Sequence, residues 1–224
     1  MYLLPLLLPP AHAAPDSARL RAALDAPAGW SEVARKQEEG VGEVVVRLKD
    51  VDGQPCLEGT TTAPLDADRL LEASADIDTQ ARWSTWTLPY SRRVTQPEGE
   101  RQRFVYAQVL DNPYPVADRA WFLQGELVRT PTERRFVWDR VDPAAHATAW
   151  ADVRARFPDA VLTGVNMGDW TFTPQGDGRT RIRYRICTDA GGSIPRWAGE
   201  YAATKTLPTN VGDIVREVTR RSRK

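Results

Sequence analysis

The sequence predicts an α+β fold in which a long C-terminal helix lies across a curved antiparallel sheet, an arrangement that makes a container. Three observations predict it. From Gly164 to Trp197 the chain reads as strand, tight turn, strand, glycine-rich break and helix start. Upstream, segments with a period of two are joined by short turns, the pattern of antiparallel hairpins. Helical periods gather at the start, middle and end of the chain instead of alternating with strands.

Taken in order, Asp16 to Leu24 carries apolar Ala18, Leu20, Ala23 and Leu24 at the spacing of a short amphipathic helix. Gly42 to Lys49 alternates Val44, Val46 and Leu48 with Glu43, Arg47 and Lys49, and Asp52-Gly53 turns it into a partner strand from Pro55 to Ala63. Pro64 to Ala75 opens with proline and early acids, which suit a helix start, and Asp76 to Trp83 extends it by a turn or two. Trp86, Leu88, Tyr90, Arg92 and Val94 mark one face of the next strand, and Gln102 to Leu110 is a strand apolar on both faces. Asp111 to Asp118 (DNPYPVAD) holds two prolines and is a loop. Arg119 to Arg129 and Glu133 to Val141 form a hairpin across Thr130-Pro131, and Asp142 to Pro158 is helical at its centre. In the closing hairpin, Trp170 and Phe172 share one face. After the Gln175–Gly178 turn, Ile182, Tyr184 and Ile186 share one face and Arg181, Arg183 and Arg185 the other. Ile194 to Arg221 is the last helix.

The totals bound what such a container can hold. The chain has 224 residues, zero net charge and eight tryptophans. Balanced charge gives no basic surface for nucleic acid, whereas many aromatics suit an apolar ligand or a large core. Residues 1–13 read either as a signal peptide, with Ala11-His12-Ala13 resembling its cleavage site, or as a disordered tail, and 14–224 as one domain. The apolar run is too short to span a bilayer. Export predicts a periplasmic or secreted protein; without it the protein is cytoplasmic. Cys56 and Cys187 lie in distant strands, so two separate buried thiols are expected, with a disulfide compatible with export. His146 is the one histidine beyond the leader, so the residues build no zinc site and no Ser–His–Asp or Cys–His nucleophile. No metal, cofactor or catalytic residue is assigned.

The string Asp111-Asn112-Pro113-Tyr114-Pro115-Val116-Ala117-Asp118-Arg119 before a strand resembles the loop-and-strand signature of START domains, the steroidogenic-acute-regulatory-related lipid-transfer fold. Gly168-Asp169-Trp170, Pro174, Gly178-Arg179-Thr180, Tyr184 and Asp189 through Trp197, followed by a terminal helix, continue the likeness over roughly Trp30 to Val218. The resemblance implies a helix-grip fold: a curved sheet around the C-terminal helix, with one apolar cavity for a single lipid such as a sterol or phospholipid. It also implies a lid made of a loop and that helix. Sterol-binding relatives pair the arginine matching Arg119 with an acid shortly after the tryptophan matching Trp83; here that position falls near Pro89, and the pair is absent.

Within this frame Arg119 shares a strand face with Trp121, Leu123 and Leu127, so it is expected to be partly desolvated, as a headgroup anchor or in a structural ion pair. Trp86, Tyr90, Phe104, Tyr106, Trp121 and Leu123 are candidate cavity wall, continued by Ile182, Tyr184 and Ile186 and by Trp197 and Tyr201 of the last helix. Pro113, Tyr114, Pro115, Gly191, Gly192 and Pro208 are candidate gating residues. The expected partners are a lipid ligand and, transiently, a membrane surface, the protein acting as a monomer. The alternative is an enzyme of the cyclase or aromatase type on the same scaffold, with Asp139, Tyr106 or Tyr184 as acid or base.

Overall fold

A computed structural model of the protein describes residues 16–114, 116–189 and 196–223, with side chains of the last helix described from 204 onward. The N-terminal segment 1–13, Pro115, Gly191 and Gly192 lie outside the described residues, as do the side chains of Trp197 and Tyr201.

One ten-stranded sheet forms the body. Its strands are β1 (Ser31–Glu38), β2 (Gly42–Val51), β3 (Gln54–Ala63), β4 (Tyr90–Arg93), β5 (Phe104–Leu110), β6 (Arg119–Arg129), β7 (Arg134–Arg140), β8 (Val161–Leu162), β9 (Asn166–Pro174) and β10 (Thr180–Thr188). They run in the order β1-β2-β3-β10-β9-β7-β6-β5-β4, all antiparallel, and short β8 runs parallel to the start of β6. Among the described residues five α-helices flank the open, curved sheet: α1 (Ser17–Asp25), α2 (Ala67–Ala75), α3 (Ile77–Gln80), α4 (Ala147–Arg156) and α5 (Arg196–Ser222).

The two faces bury different layers. On the inner face, α2, α3 and the C-terminal half of α5 pack on alternate residues of β2, β3, β5–β7, β9 and β10 to make the main core. On the outer face, Leu20 and Leu24 of α1 cover Cys56, Val165, Met167 and Cys187, while α4 covers Tyr90, Ala107, Val109 and Phe122. Local chemistry starts the helices where expected: the Asp66 carboxylate caps α2 by accepting from the Arg69 N–H at 3.0 Å. Close seating of α5 depends on Gly59 of β3, where a Cβ would fall 2.2 Å from Leu207 Cδ2.

Two expectations are corrected. Cys56 and Cys187 are not separate thiols but are joined by a disulfide. Their strands, far apart in sequence, are neighbours in the sheet, and the two residues sit opposite each other in register. The strand expected from Trp86 begins only at Tyr90. The Thr85 N–H and hydroxyl both donate to Asp213 of α5 (2.7 and 2.6 Å) and draw the 84–86 segment off the sheet. Strand β1 escapes the sequence reading because its residues are almost all exposed and polar. The arginines of α5 are ion-paired: Arg216 with Glu38 and Asp213, Arg220 with Glu217, and Arg221 with Glu217 and Asp76.

Candidate functional site

The inner face carries a continuous band of rings. Phe104 of β5 stacks on Phe136 of β7 (centroids 5.9 Å apart, planes 7° apart), and Phe136 contacts Trp138 at 5.9 Å. Trp138 stacks on Tyr184 of β10 at 5.8 Å, Tyr184 on Trp170 of β9 at 4.3 Å, and Trp170 on Phe172 at 6.0 Å. Tyr106 adjoins Phe104 and Phe136. Antiparallel register produces the band, because Trp170 lies opposite both Phe136 and Tyr184, with Gly168 opposite Trp138. Gly168 is the clearance for the Trp138 ring: a Cβ there would meet Trp138 Cζ2 at 2.5 Å. Aromatic pairs of this kind contribute about 0.5–1.5 kcal/mol each beyond area burial.

Polar groups on this face are few and mostly neutral. The Tyr106 and Tyr184 hydroxyls are buried, and burial pushes both pKa values upward, Tyr184 adding to the shift at Tyr106. Both therefore stay protonated at neutral pH and offer O–H donors. The indole N–H groups of Trp83 and Trp121 are buried with no hydrogen-bond partner. An unsatisfied buried donor costs about 1–3 kcal/mol, so these two suit an acceptor atom brought by a ligand. Gln108, beside Trp121 in register, is already engaged with Gln80 and Ser91 (2.8 and 3.0 Å).

Charge sits at the ends of the band. Arg134 pairs with Asp68 at 2.7 Å. At the other end Arg119, 6 % exposed, donates to the Ala117 carbonyl; burial lowers its pKa while Asp189 and Asp118 raise it. Asp189, just after β10, accepts from the Val165 N–H at 3.0 Å, and its other oxygen is buried without a partner. Burial raises the Asp189 pKa against the pull of those backbone N–H groups and of Arg140 and Arg119. Asp189, just past the end of β10, is thus near enough to act electrostatically on Arg119. Sequence reasoning looked for such a carboxylate near Pro89, and the only signal for Asp189 was its place in the Asp-Ala-Gly-Gly break.

Of the candidate wall, Phe104, Tyr106, Leu123, Ile182 and Tyr184 are buried in the inner core, and Trp121 and Ile186 are partly buried against it. Arg119 stands at its end. Two candidates fall elsewhere. Tyr90 lies on the outer face against Phe157, because it pairs with Val109, whose side chain points away from the band. Trp86 is off the sheet, its indole N–H donating to Asn210 of α5 at 2.6 Å. Phe136 and Trp138 were missed, although the period of two across Glu133–Val141 places them together. Asp139, neighbour to Trp138, takes the opposite face, where its carboxylate accepts from the Ser17 hydroxyl of α1 at 3.4 Å; it is not an acid inside the container. Of the gating candidates, Tyr114 stands 97 % exposed beside Pro113 at the tip of its loop, and Pro208 is buried within α5. Among the described residues no three His, Cys, Asp or Glu side chains group so as to hold a metal ion.

Comparison with known proteins agrees with this geometry. No family model matches the chain. An uncharacterized protein of Pseudomonas aeruginosa is 25 % identical over 180 residues, covering 79 % of this chain and 82 % of that protein. Among solved structures, human StAR-related lipid transfer protein 5 superposes with a TM-score of 0.72 at 11 % identity, covering 92 % of this chain and 93 % of the other. The STAR-related lipid transfer protein of Xanthomonas axonopodis gives 0.65 at 19 % identity, covering 85 % and 99 %. The Zhui aromatase/cyclase of Streptomyces gives 0.53 at 18 % identity, covering 75 % and 94 %. The chain therefore has the START-like helix-grip fold that the sequence resemblance implied.

Proposed function

We propose that this protein binds one lipid between the aromatic band, α2, α3 and α5, and carries it through water. The observation that carries the reading is the pairing of a dry aromatic wall with buried, unsatisfied indole N–H groups, a site better completed by a ligand than left empty. Two of the folds it resembles belong to proteins named for lipid transfer. Apolar contact would supply most of the affinity, at roughly 25 cal/mol per Å² buried. Tyr106, Tyr184, Trp121 and Trp83 would orient a polar group of a sterol, phospholipid or similar molecule, with Arg119 and Asp189 at the end of the band.

Entry needs a gate, and α5 is the element proposed to supply it. Its C-terminal half is tied down by Thr85–Asp213, Trp86–Asn210, Arg216–Glu38 and Arg221–Asp76. Pro208 removes a helical hydrogen bond at the start of that anchored half. Opening would then swing the turns before Pro208, together with the Pro113–Tyr114 loop, against a membrane surface, the protein working as a monomer. The disulfide favours an oxidising compartment and hence export, which fractionation of the native host tests.

The decisive experiment is native mass spectrometry of protein purified from its own host. A bound lipid mass that shifts to the apo mass on delipidation is expected. Protein that arrives empty and takes up neither labelled sterol nor labelled phospholipid sinks the carrier reading. The enzyme reading is favoured by one observation, two buried tyrosines, Tyr106 and Tyr184, on the inner face. It predicts that Tyr106→Phe or Tyr184→Phe abolishes turnover of a bound ligand while binding persists.

A further inference from the structure

The outer face of the same sheet has a second chemistry, independent of the lipid reading. In the β7–β9–β10 register, Arg135, Thr171 and Arg183 form one cross-strand row. The adjacent row holds Val137, Asp169 and Arg185. Three arginines gather around two carboxylates here. Asp169, fully buried, takes Arg185 at 2.8 Å and lies 3.6 and 3.7 Å from Arg21 and Arg135; Asp25 takes Arg185 at 2.8 Å and Arg135 at 3.4 Å.

Arg183 is left short. Its one described hydrogen bond is to the Thr171 hydroxyl at 3.3 Å, and among the described residues it makes no ion pair. The Nε–H groups of Arg183 and of Arg135 are both buried without a partner. Burial lowers the Arg183 pKa, Arg185 and Arg135 lower it further, and Asp169 and Glu58 oppose them. Arg181, next on the same face, is exposed. By contrast, the α5 arginines Arg216, Arg220 and Arg221 are each ion-paired. A chain neutral overall therefore concentrates positive charge and unsatisfied donors on one patch of sheet.

We propose that this patch binds a phosphate-type oxyanion between Arg135 and Arg183, above Thr171, with Arg181 on its open side. The two arginines stand on strands either side of β9, about 10 Å apart at the backbone, a span that two long guanidinium side chains close onto one tetrahedral anion. Planar guanidinium forks match phosphate oxygens, and a doubly charged anion offsets the local excess that a single carboxylate would not. The phosphate belongs either to free inorganic phosphate or to a lipid headgroup.

The test uses the full chain. Melting is followed in inorganic phosphate and in chloride matched for ionic strength, for the parent, Arg183→Gln and Arg135→Gln. Phosphate is expected to raise the melting temperature of the parent above its value in chloride. Each substitution should weaken that response at least about tenfold in phosphate concentration. In chloride, Arg183→Gln should melt no lower than the parent, since it removes an under-compensated cation. Equal stabilisation of the parent by chloride and phosphate, or an unchanged phosphate response in Arg183→Gln, overturns the proposal. Should Arg183→Gln not fold, Arg181→Gln, at an exposed position, takes its place in the same comparison. Co-sedimentation with phosphatidylcholine vesicles, with and without phosphatidic acid, separates the sources. Binding that requires phosphatidic acid and is lost in Arg183→Gln assigns a headgroup; a phosphate response without vesicle binding assigns the free anion.

Discussion

Replacing Gly59 by alanine tests whether the grip of α5 on the sheet rests on a missing side chain. The added Cβ would lie 2.2 Å from Leu207 Cδ2, 3.4 Å from Leu207 Cγ and 3.3 Å from Val211 Cγ2. Ordinary contact begins near 3.4 Å, so the Leu207 methyl must retreat by about 1.2 Å. It has little room to do so, because Leu207 is 2 % exposed and Val211 fully buried. Overpacking of this sort costs about 1–3 kcal/mol. At about 2 kcal/mol, a domain of this length should lose roughly 4–8 °C of melting temperature. Urea unfolding followed by tryptophan fluorescence would show a lower midpoint at an unchanged slope.

A double-mutant cycle isolates the clash. Leu207→Ala alone should cost about 2–5 kcal/mol through its cavity. In the Gly59→Ala background that cost should shrink by at least ~1 kcal/mol, because the alanine methyl then occupies vacated space. A neutral Gly59→Ala, or strict additivity in the cycle, would refute the claim that Gly59 sets the approach of the helix.

Other perturbations probe the remaining layers. Replacing Cys56 and Cys187 by alanine opens a link spanning 131 residues; the chain-entropy account puts the loss at roughly 5 kcal/mol, measurable as a shift in the urea midpoint. Asp213→Asn leaves Thr85 with a weaker acceptor and should speed amide exchange at Thr85 and Trp86 while the band is unaffected. Bonds from Arg220 and Arg221 hold the Glu217 pKa below its ordinary value. Its contribution is therefore full at neutral pH and fades as pH falls through the unfolded value of about 4.3 towards the folded one, so Glu217→Gln should flatten the acid limb of the stability curve. Trp121→Phe deletes an unpartnered donor, so the empty protein should be no less stable. Ligand affinity should fall if a ligand acceptor meets that N–H, and an unchanged affinity in a lipid titration would remove Trp121 from the site.

What the sequence made legible follows from what a local pattern encodes. Alternation in Trp170–Phe172, Ile182–Ile186 and Arg119–Leu127 correctly grouped side chains by face, because a period of two is a property of the strand alone. It does not say which face turns inward. Tyr90 illustrates this: it was grouped with Trp86 on a cavity wall, but pairing with Val109 aims it under α4. Contacts between strands distant in sequence were equally invisible, which is why the Cys56–Cys187 bond emerged only from the register and the influence of Asp189 on Arg119 only from the fold. Strand β1 had no apolar alternation to read, since an exposed edge strand buries almost nothing.

The two faces of this sheet solve opposite problems with the same alternation. From Thr180 to Thr188, one parity places Ile182, Tyr184 and Ile186 against the aromatic band, while the other places Arg181, Arg183 and Arg185 in an arginine cluster outside. A one-residue slip of β10 would exchange them, putting three guanidinium groups into the core and three apolar side chains into water. Burying those cations would cost far more than a lost methyl group, so the charged parity enforces the register that builds the aromatic band. The same division would separate the two proposed binding chemistries by their response to salt. Uptake of a lipid on the inner face, driven by apolar contact, should change little with ionic strength, whereas an anion held on the outer face by partly buried guanidinium groups should weaken as salt rises.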